Sequence, residues 1–235
     1  DLDASRMNYI KAHYQYASIR PLVVSFNGFD QTLNSIATDL PFQTEDNNFV
    51  GFHAIEYALF AQNDIAKAFV ENQKLLSKVR TLVQLMSQQN TSILDMLGYL
   101  KGFSQQITVY KLTGSENLYS GADLGEIVAS IEGINLIIDQ IHDFIPHALL
   151  HEIDTARATI CKVLHNYRDP NSDFYLPYSS LSPNDHLILS QTMNKLDSLL
   201  TQVINNVTPQ ISNNSTDRNS TINLHYMLLL PYMIF

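Results

Sequence analysis

Apolar residues recur three or four positions apart along most of this chain, and that spacing restricts the fold to packed helices. The clearest stretch carries Ile65, Phe69, Leu75, Leu76, Val79, Leu82, Val83 and Met86. On an α-helix these positions form one stripe that is buried against a neighbouring element. No alternating apolar and polar run of useful length competes with such patterns. We therefore predict an all-α fold.

The same spacing predicts the approximate extent of each helix, namely 5–25, 30–37, 48–62, 65–86, 92–112, 124–141, 146–164 and 183–207. Pro21 is expected to bend or restart the first helix. Pro146 and Pro183 suit the first turn of the helices that they begin. We predict one helical domain over residues 1–207, followed over 208–235 by a polar, Asn- and Ser-rich linker and an apolar C-terminal tail.

Composition narrows the classes of partner. Hydrophobic residues make up 45% of the 235 positions and charged residues 16%, which is typical of a globular chain. The formal net charge of −9 excludes a nucleic-acid partner, which needs clustered lysine and arginine, and suits the attraction of cations. No apolar run is long enough to cross a membrane. The chain opens at Asp1 without a methionine, so we expect that an export signal has been removed.

Residues 51–60, GFHAIEYALF, set an imidazole and a carboxylate into a strongly apolar run. His53 and Glu56 are three positions apart and lie about one turn apart on a helix. A neutral imidazole nitrogen and a carboxylate oxygen held in this way form half of a divalent metal site. The simpler alternative is a partly buried histidine that is hydrogen-bonded to a neighbouring glutamate. The spacing alone leaves both open.

Several segments in order resemble the imelysin-like family, in particular its EfeO/EfeM-type branch of periplasmic iron-uptake proteins. Residues 51–56 resemble the family's GxHxxE motif, and 112–124, LTGSENLYSGADL, resemble ITGEExYSHTDL. Residues 131–133 resemble the start of VEGA. The entry to the last helix is similar to KYRD…Y…LSxD through residues 166–169, Tyr178 and residues 181–185.

This resemblance implies two four-helix bundles packed side by side with a cleft between them. It also implies a metal site in which His53 and Glu56 are joined by acidic residues at matching motif positions, Glu116, Asp123 and Glu132, and more loosely by Asp64. One imidazole with hard oxygen ligands suits iron, with zinc or manganese as alternatives. A membrane iron permease, a peroxidase-type partner and a location in the bacterial periplasm or outside the cell are further expectations.

The chain also departs from the family pattern. Residues 16–21 stand where the family has YERIEP, so both glutamates are lost and Arg20 replaces one of them. Residues 103–107 replace the two carboxylates of LLDEV by amides, and Gly121 replaces the histidine of YSHTDL. Each change removes negative charge or a ligand. These losses predict a reduced or altered metal site.

Three functions are consistent with these observations. The first is a non-catalytic metal-binding component of an iron-uptake system. The second is a metallopeptidase, but Ala54 follows His53 and Tyr57 occupies the place of the second histidine of an HExxH motif. The third is a module that binds a polymer or a partner protein in its cleft, with a degenerate metal site. The first is the prediction that we carry forward.

Overall fold

The computed structural model describes residues 1–24, 26, 28–88 and 92–213. Within these ranges the protein has eight α-helices and no β-strand, only two isolated bridges, so the all-α prediction is confirmed. The helices are α1 Leu2–Val23, α2 Phe29–Leu33, α3 Phe52–Glu56, α4 Ile65–Gln88, α5 Ile93–Val109, α6 Asp123–Ile141, α7 His147–His165 and α8 Pro183–Asn213.

Most predicted boundaries agree with the structure to within a few residues, and the differences have local causes. α3 is only five residues long and continues as a π-helical turn over Tyr57–Ala61. Pro21 lies in the last turn of α1, so the helix ends soon after it instead of restarting. α8 continues past residue 207, because Ile211 is still buried in the core. The predicted tail beyond residue 213 lies outside the described residues.

Helices α5 to α8 close one four-helix arrangement, in which α5 packs on α6 and α8, and α7 also packs on both. The most extensive contact joins α1 to α6, while α2 and α3 pack against α4. The main apolar core of the described residues draws on all eight helices. The second bundle and the cleft between two bundles remain a prediction. None of the described helices combines the length and hydropathy that crossing a bilayer requires.

Small residues let α1 and α6 approach closely. A Cβ atom on Gly133 would lie 2.2 Å from the carbonyl oxygen of Ser18, and one on Gly125 would lie 2.0 Å from the hydroxyl oxygen of Tyr14. The backbones can reach this separation only because glycine has no side chain there. The close approach brings His13 of α1 level with Glu126 of α6.

The segment before α3 is a loop whose two ends meet. Asn34 and Gly51 form an antiparallel bridge, and a small apolar cluster joins Ala37 and Phe49 of the loop to Ala54 of α3. Gly51 has a φ of +82°, and a Cβ atom at this position would lie 2.0 Å from the Leu33 carbonyl oxygen. The glycine that precedes His53 is therefore required by the backbone itself, and the bridge holds Asn34 beside α3.

Candidate metal centre

His53 and Glu56 are both buried and contact each other. The Nδ1 atom of His53 lies 2.8 Å from Glu56 Oε2. The other oxygen of Glu56 accepts three hydrogen bonds from one turn, from the backbone N–H groups of Tyr119 at 3.1 Å and Ser120 at 2.8 Å, and from the Ser120 hydroxyl at 2.8 Å. Glu56 is therefore a fixed acceptor that orients the imidazole ring.

This contact leaves the second nitrogen of the His53 ring available. When Nδ1–H donates to Glu56, the neutral ring carries its lone pair on Nε2. Nε2 is buried and has no hydrogen-bond partner among the described residues. Metal-binding histidines characteristically donate their other ring nitrogen to a carboxylate in this way. The hydrogen bond between His53 and Glu56 that the non-metal alternative predicted is therefore present. The same bond leaves His53 Nε2 as an atom that can bind a metal ion.

A second histidine, His13 of α1, is fully engaged. Its Nδ1 lies 2.5 Å from Glu126 Oε1 and its Nε2 lies 2.7 Å from Asn34 Oδ1. Since the Asn34 amide nitrogen donates to Glu116 Oε1 at 2.8 Å, the amide oxygen faces the ring. Nε2 therefore donates to Asn34, while Nδ1 lies within ion-pair distance of the Glu126 carboxylate and 3.3 Å from the Tyr9 hydroxyl. Burial lowers the pKa of His13, but the adjacent Glu126 carboxylate outweighs it and the pKa is raised.

Glu116 lies among hydrogen-bond donors at the centre of a group of buried polar residues. We call this group the cluster; its members are His13, Arg20, His53, Glu56, Lys111, Glu116 and Glu126. Its Oε1 accepts from Arg20 Nη1 at 2.7 Å, and its Oε2 lies 2.7 Å from Lys111 Nζ. The Lys111 ammonium also contacts Glu126 Oε2. Burial alone would raise the pKa of Glu116, but Lys111 and Arg20 hold it well below its usual range. Lys111 in turn has a raised pKa, because its two carboxylate partners outweigh its burial.

Acidic and basic side chains are paired inside this cluster. Glu56, Glu116 and Glu126 are its buried acidic residues, and the buried basic residues that accompany them are Arg20, Lys111 and His13. Arg20 also pairs with Asp30, through Nε at 2.7 Å and Nη2 at 3.0 Å. The arginine that stands in place of a family glutamate is thus part of the cluster. Buried charges of this kind are tolerated only when they are paired.

Asp123 lies at the start of α6 beside the same cluster. Its Oδ1 accepts from the backbone and side-chain amides of Asn117, each at 3.3 Å, while Oδ2 has no partner in the described part of the chain. Burial, reinforced by the charge of Glu126, raises the pKa of Asp123 to about 7. Below pH 7 the Asp123 carboxyl group is therefore largely protonated, and a neutral group is less costly to bury than a charged one.

The structure brings four of the six predicted site residues together and leaves two apart. His53, Glu56, Glu116 and Asp123 are all buried at the cluster. Asp64 is exposed and caps α4, where its Oδ1 accepts from the Lys67 backbone N–H at 2.8 Å.

Glu132 is exposed on the outer side of α6, where its charge acts on Cys161 and Arg168. It follows Asp123 by nine positions, or about two and a half helical turns, so the two side chains leave opposite faces of α6. The structure therefore does not place Glu132 with His53.

Four residues of the cluster were not among the predicted ligands, namely His13, Arg20, Lys111 and Glu126. His13 shares the apolar face of α1 with Tyr9 and Tyr16, and this position in the sequence indicates a buried titratable group. Glu126 follows Asp123 by one helical turn and so lies on the same face of α6, which is a similar indication. Lys111 gives no such signal, because its local sequence resembles that of an ordinary exposed lysine.

Ligand atoms of His13, His53 and Glu116 lie within 4.8 Å of one another, which is close enough to surround one metal ion. Imidazole nitrogen with carboxylate oxygen suits iron, manganese or zinc. Of these three residues, His53 offers its Nε2 atom, which has no partner among the described residues, whereas His13 and Glu116 already contact other polar or charged groups. An ion that also used Glu116 would have to take the place of one of its donors.

A cavity of about 860 Å³ lies between the loop of residues 34–51 and the ends of α1 and α5. Arg20 and Asn34 are buried lining residues, and both donate to Glu116. Gln31, Asp39 and Asn47 line its exposed rim. The cavity therefore reaches from the surface to the groups that contact Glu116.

Together the fold and the site define an all-α protein with a buried cluster of histidine, carboxylate and cationic side chains. The family model of imelysin, which is named as peptidase family M75, matches residues 1–203. The chain belongs to the imelysin family.

Two relatives show how much of a longer protein the chain covers. It is 27% identical over 199 residues to the iron uptake system component EfeM of Pseudomonas syringae pv. syringae, a match that covers 83% of this chain and 70% of the relative. It is 25% identical over 206 residues to the iron uptake system component EfeO of Escherichia coli K12, which covers 86% of this chain and 54% of the relative. The chain thus spans about half the length of EfeO.

Proposed function

We propose that this protein is a non-catalytic, metal-binding component of an iron-uptake system, with iron as its cargo. The relatives EfeM and EfeO are named as components of an iron uptake system, which supports a role in iron uptake. The buried cluster supports the binding of a metal ion. Zinc and manganese are the alternative ions, because the same ligand types suit them.

The observation that carries this proposal is the state of His53 Nε2. It is buried, has no hydrogen-bond partner among the described residues, and belongs to a ring that Glu56 holds in place. An unpaired buried polar atom is unfavourable unless a ligand completes it. Glu116 and His13 lie within the same small radius, so an ion bound to His53 could gain them as further ligands by displacing their present partners.

The cavity beside the cluster supplies a route for the ion. Its rim is exposed, and two buried lining residues, Arg20 and Asn34, contact Glu116 directly. An ion that enters from solvent would therefore meet polar side chains before it reaches the buried carboxylates. We include in the proposal that the protein acts in the bacterial envelope and delivers its ion to a membrane permease, with a peroxidase-type protein as a further partner.

The proposal excludes peptidase activity in spite of the family's name. A zinc peptidase needs about three protein ligands, an open position for water and a general base. Here Tyr57 stands in place of the second histidine of HExxH, and Glu56 is occupied by His53 and by the turn at Ser120. Cleavage of unfolded casein that a chelator suppresses would contradict the non-catalytic role.

Thermal unfolding of chelator-treated protein tests the metal-binding role. Ferrous, manganous and zinc ions are added separately at about 100 times their dissociation constants, which adds about 2.7 kcal/mol to the free energy of unfolding. For a chain of this size the expected rise in melting temperature is roughly 5–10 °C. His53→Ala should abolish the rise, whereas His147→Ala, which removes an exposed histidine of α7, should leave it unchanged.

A polymer- or partner-binding role for the cavity is the second candidate. The paired charges of the cluster favour it, because carboxylates that already have cationic partners have less need of a metal ion. A wild-type protein that shows no metal response but binds an anionic polysaccharide saturably would support this role and overturn the first.

A further inference from the structure

Lys111 is placed where a metal ion would be expected. It begins the short 3₁₀ turn after α5 and is buried. Its ammonium group contacts Glu116 Oε2 on one side and Glu126 Oε2 on the other. Two carboxylates from different segments thus converge on one positive charge. Convergence of this kind is also how proteins hold hard divalent cations.

A nearby ligand atom distinguishes this position from an ordinary buried ion pair. His53 Nε2 is buried without a partner among the described residues, and ligand atoms of His53 and Glu116 lie within 4.8 Å. An ammonium group can only donate hydrogen bonds. Lys111 contacts both carboxylates, yet neither Glu116 Oε2 nor His53 Nε2 has a hydrogen-bond partner among the described residues. A metal ion in place of the ammonium would bind the two carboxylate oxygens, with a ligand atom of His53 within 4.8 Å of Glu116.

We infer that the space between Glu116 and Glu126 is a binding position for a divalent cation, which the Lys111 ammonium fills in the structure described. Metal binding there requires the lysine to withdraw, which its flexible four-carbon chain allows. The affinity for the ion is then set by competition with a charge that the protein carries itself. The inference rests on the proposed function only for the identity of the ion.

The competing explanation is that Lys111 serves only to neutralise two buried glutamates. The two explanations predict opposite effects when the charge is removed. If Lys111 is a counter-ion alone, Lys111→Met damages the cluster and metal affinity does not increase. If Lys111 competes with a metal, the variant should bind the ion more tightly by about tenfold or more, because placing like charges together is unfavourable by several kcal/mol.

The experiment is a calorimetric titration of metal-free wild type, Lys111→Met and Lys111→Arg with manganous ion. Lys111→Arg keeps a cation at the position and should not gain affinity. Lys74→Met is the matched control, because it removes a lysine that also contacts a glutamate, Glu71 at 2.7 Å, but on the protein surface. Its affinity should equal that of the wild type.

The outcomes separate this inference from the proposed function. Tighter binding by Lys111→Met alone supports the inference, and it does so even if the wild type shows no binding and the proposed function fails. Binding by the wild type without any gain in Lys111→Met overturns the inference and leaves the proposed function intact. Absence of binding in both proteins overturns both.

Lys111→Met leaves two buried glutamates without their shared cation, and this can unfold the metal-free variant. A second measurement is therefore used that does not require the metal-free variant to be folded. Helical circular dichroism is recorded with and without manganous ion. A variant that folds only with the ion supports the inference. A double variant, Lys111→Met with Glu126→Gln, removes one charge of each sign. It should fold without metal and show no gain in affinity, and a gain equal to that of the single variant would overturn the role of Glu126.

Discussion

The two nitrogens of the His53 ring have different surroundings. Nδ1 is held by Glu56, and Nε2 faces the cluster without a partner among the described residues. The three-residue spacing predicted the contact between the two side chains. It could not predict the turn at Tyr119 and Ser120 that fixes Glu56, because these residues lie more than sixty positions further along the chain.

At the residue scale, Asp123 is expected to make stability depend on pH. Its pKa is about 7 in the folded protein against an ordinary value of 3.8, so between these values the folded state holds a proton that the unfolded state has lost. Its contribution to stability is therefore lost as the pH rises from about 4 to about 7. The loss approaches about 1.4 kcal/mol for each pH unit in this window.

Asp123→Asn removes the titration and keeps an oxygen that can accept from Asn117. Urea unfolding of metal-free protein between pH 4 and pH 8 measures the effect. The difference in unfolding free energy between variant and wild type should increase in favour of the variant up to about pH 7 and then level off. A difference that is constant with pH would show that Asp123 does not carry the expected shift.

At the scale of single elements, α6 shows what helical periodicity does and does not determine. Its apolar stripe was predicted correctly, and Asp123 and Glu126 lie on the face toward the cluster. Glu132 is on the opposite face, although its motif resembles that of the family. A motif match fixes the position of a residue in the sequence, whereas the helical angle fixes the direction of its side chain.

The close contact of α1 with α6 yields a second prediction at this scale. Gly133→Ala should destabilise the protein by about 1–3 kcal/mol, because the new Cβ atom would lie 2.2 Å from a backbone oxygen of α1 that cannot move away alone. It should also weaken metal binding, since α1 carries His13. Thermal and urea unfolding measure the first effect, and a metal titration measures the second.

Gly98→Ala provides the control for this variant. Gly98 is an exposed glycine in α5, and a Cβ atom there would have no neighbour within 4 Å. The substitution should stabilise the protein by up to about 1 kcal/mol through helix propensity alone. Equal effects of the two substitutions would contradict the close contact between α1 and α6.

For the whole molecule, the cluster joins α1, α3, α6 and the loop that carries Glu116, so its titration should affect global unfolding. The depressed pKa values of Glu116 and Glu126 give stability that is present above their ordinary value of 4.5 and lost as the pH falls. The raised pKa of His13 gives stability that is present below its ordinary value of 6.5 and lost as the pH rises.

The loss at Asp123 begins at about pH 4, as the gains from Glu116 and Glu126 end, so the maximum stability of the metal-free protein is expected at about pH 4.5. Urea unfolding across pH 3 to pH 9 locates the maximum. A free energy of unfolding that rises steadily from pH 5 to pH 9 would contradict the charges assigned to the cluster.

Local spacing was enough to predict the helices, most of their boundaries and the turn that joins His53 to Glu56, because these depend on separations of three and four residues and on local backbone chemistry. Which charges share the interior became clear only from the packed helices. His13, Arg20, Lys111 and Glu126 come together from three separate segments, and their pairing depends on how closely the helices pack. The cationic side chains that balance the buried carboxylates are therefore a property of the packed molecule, which no local pattern encodes.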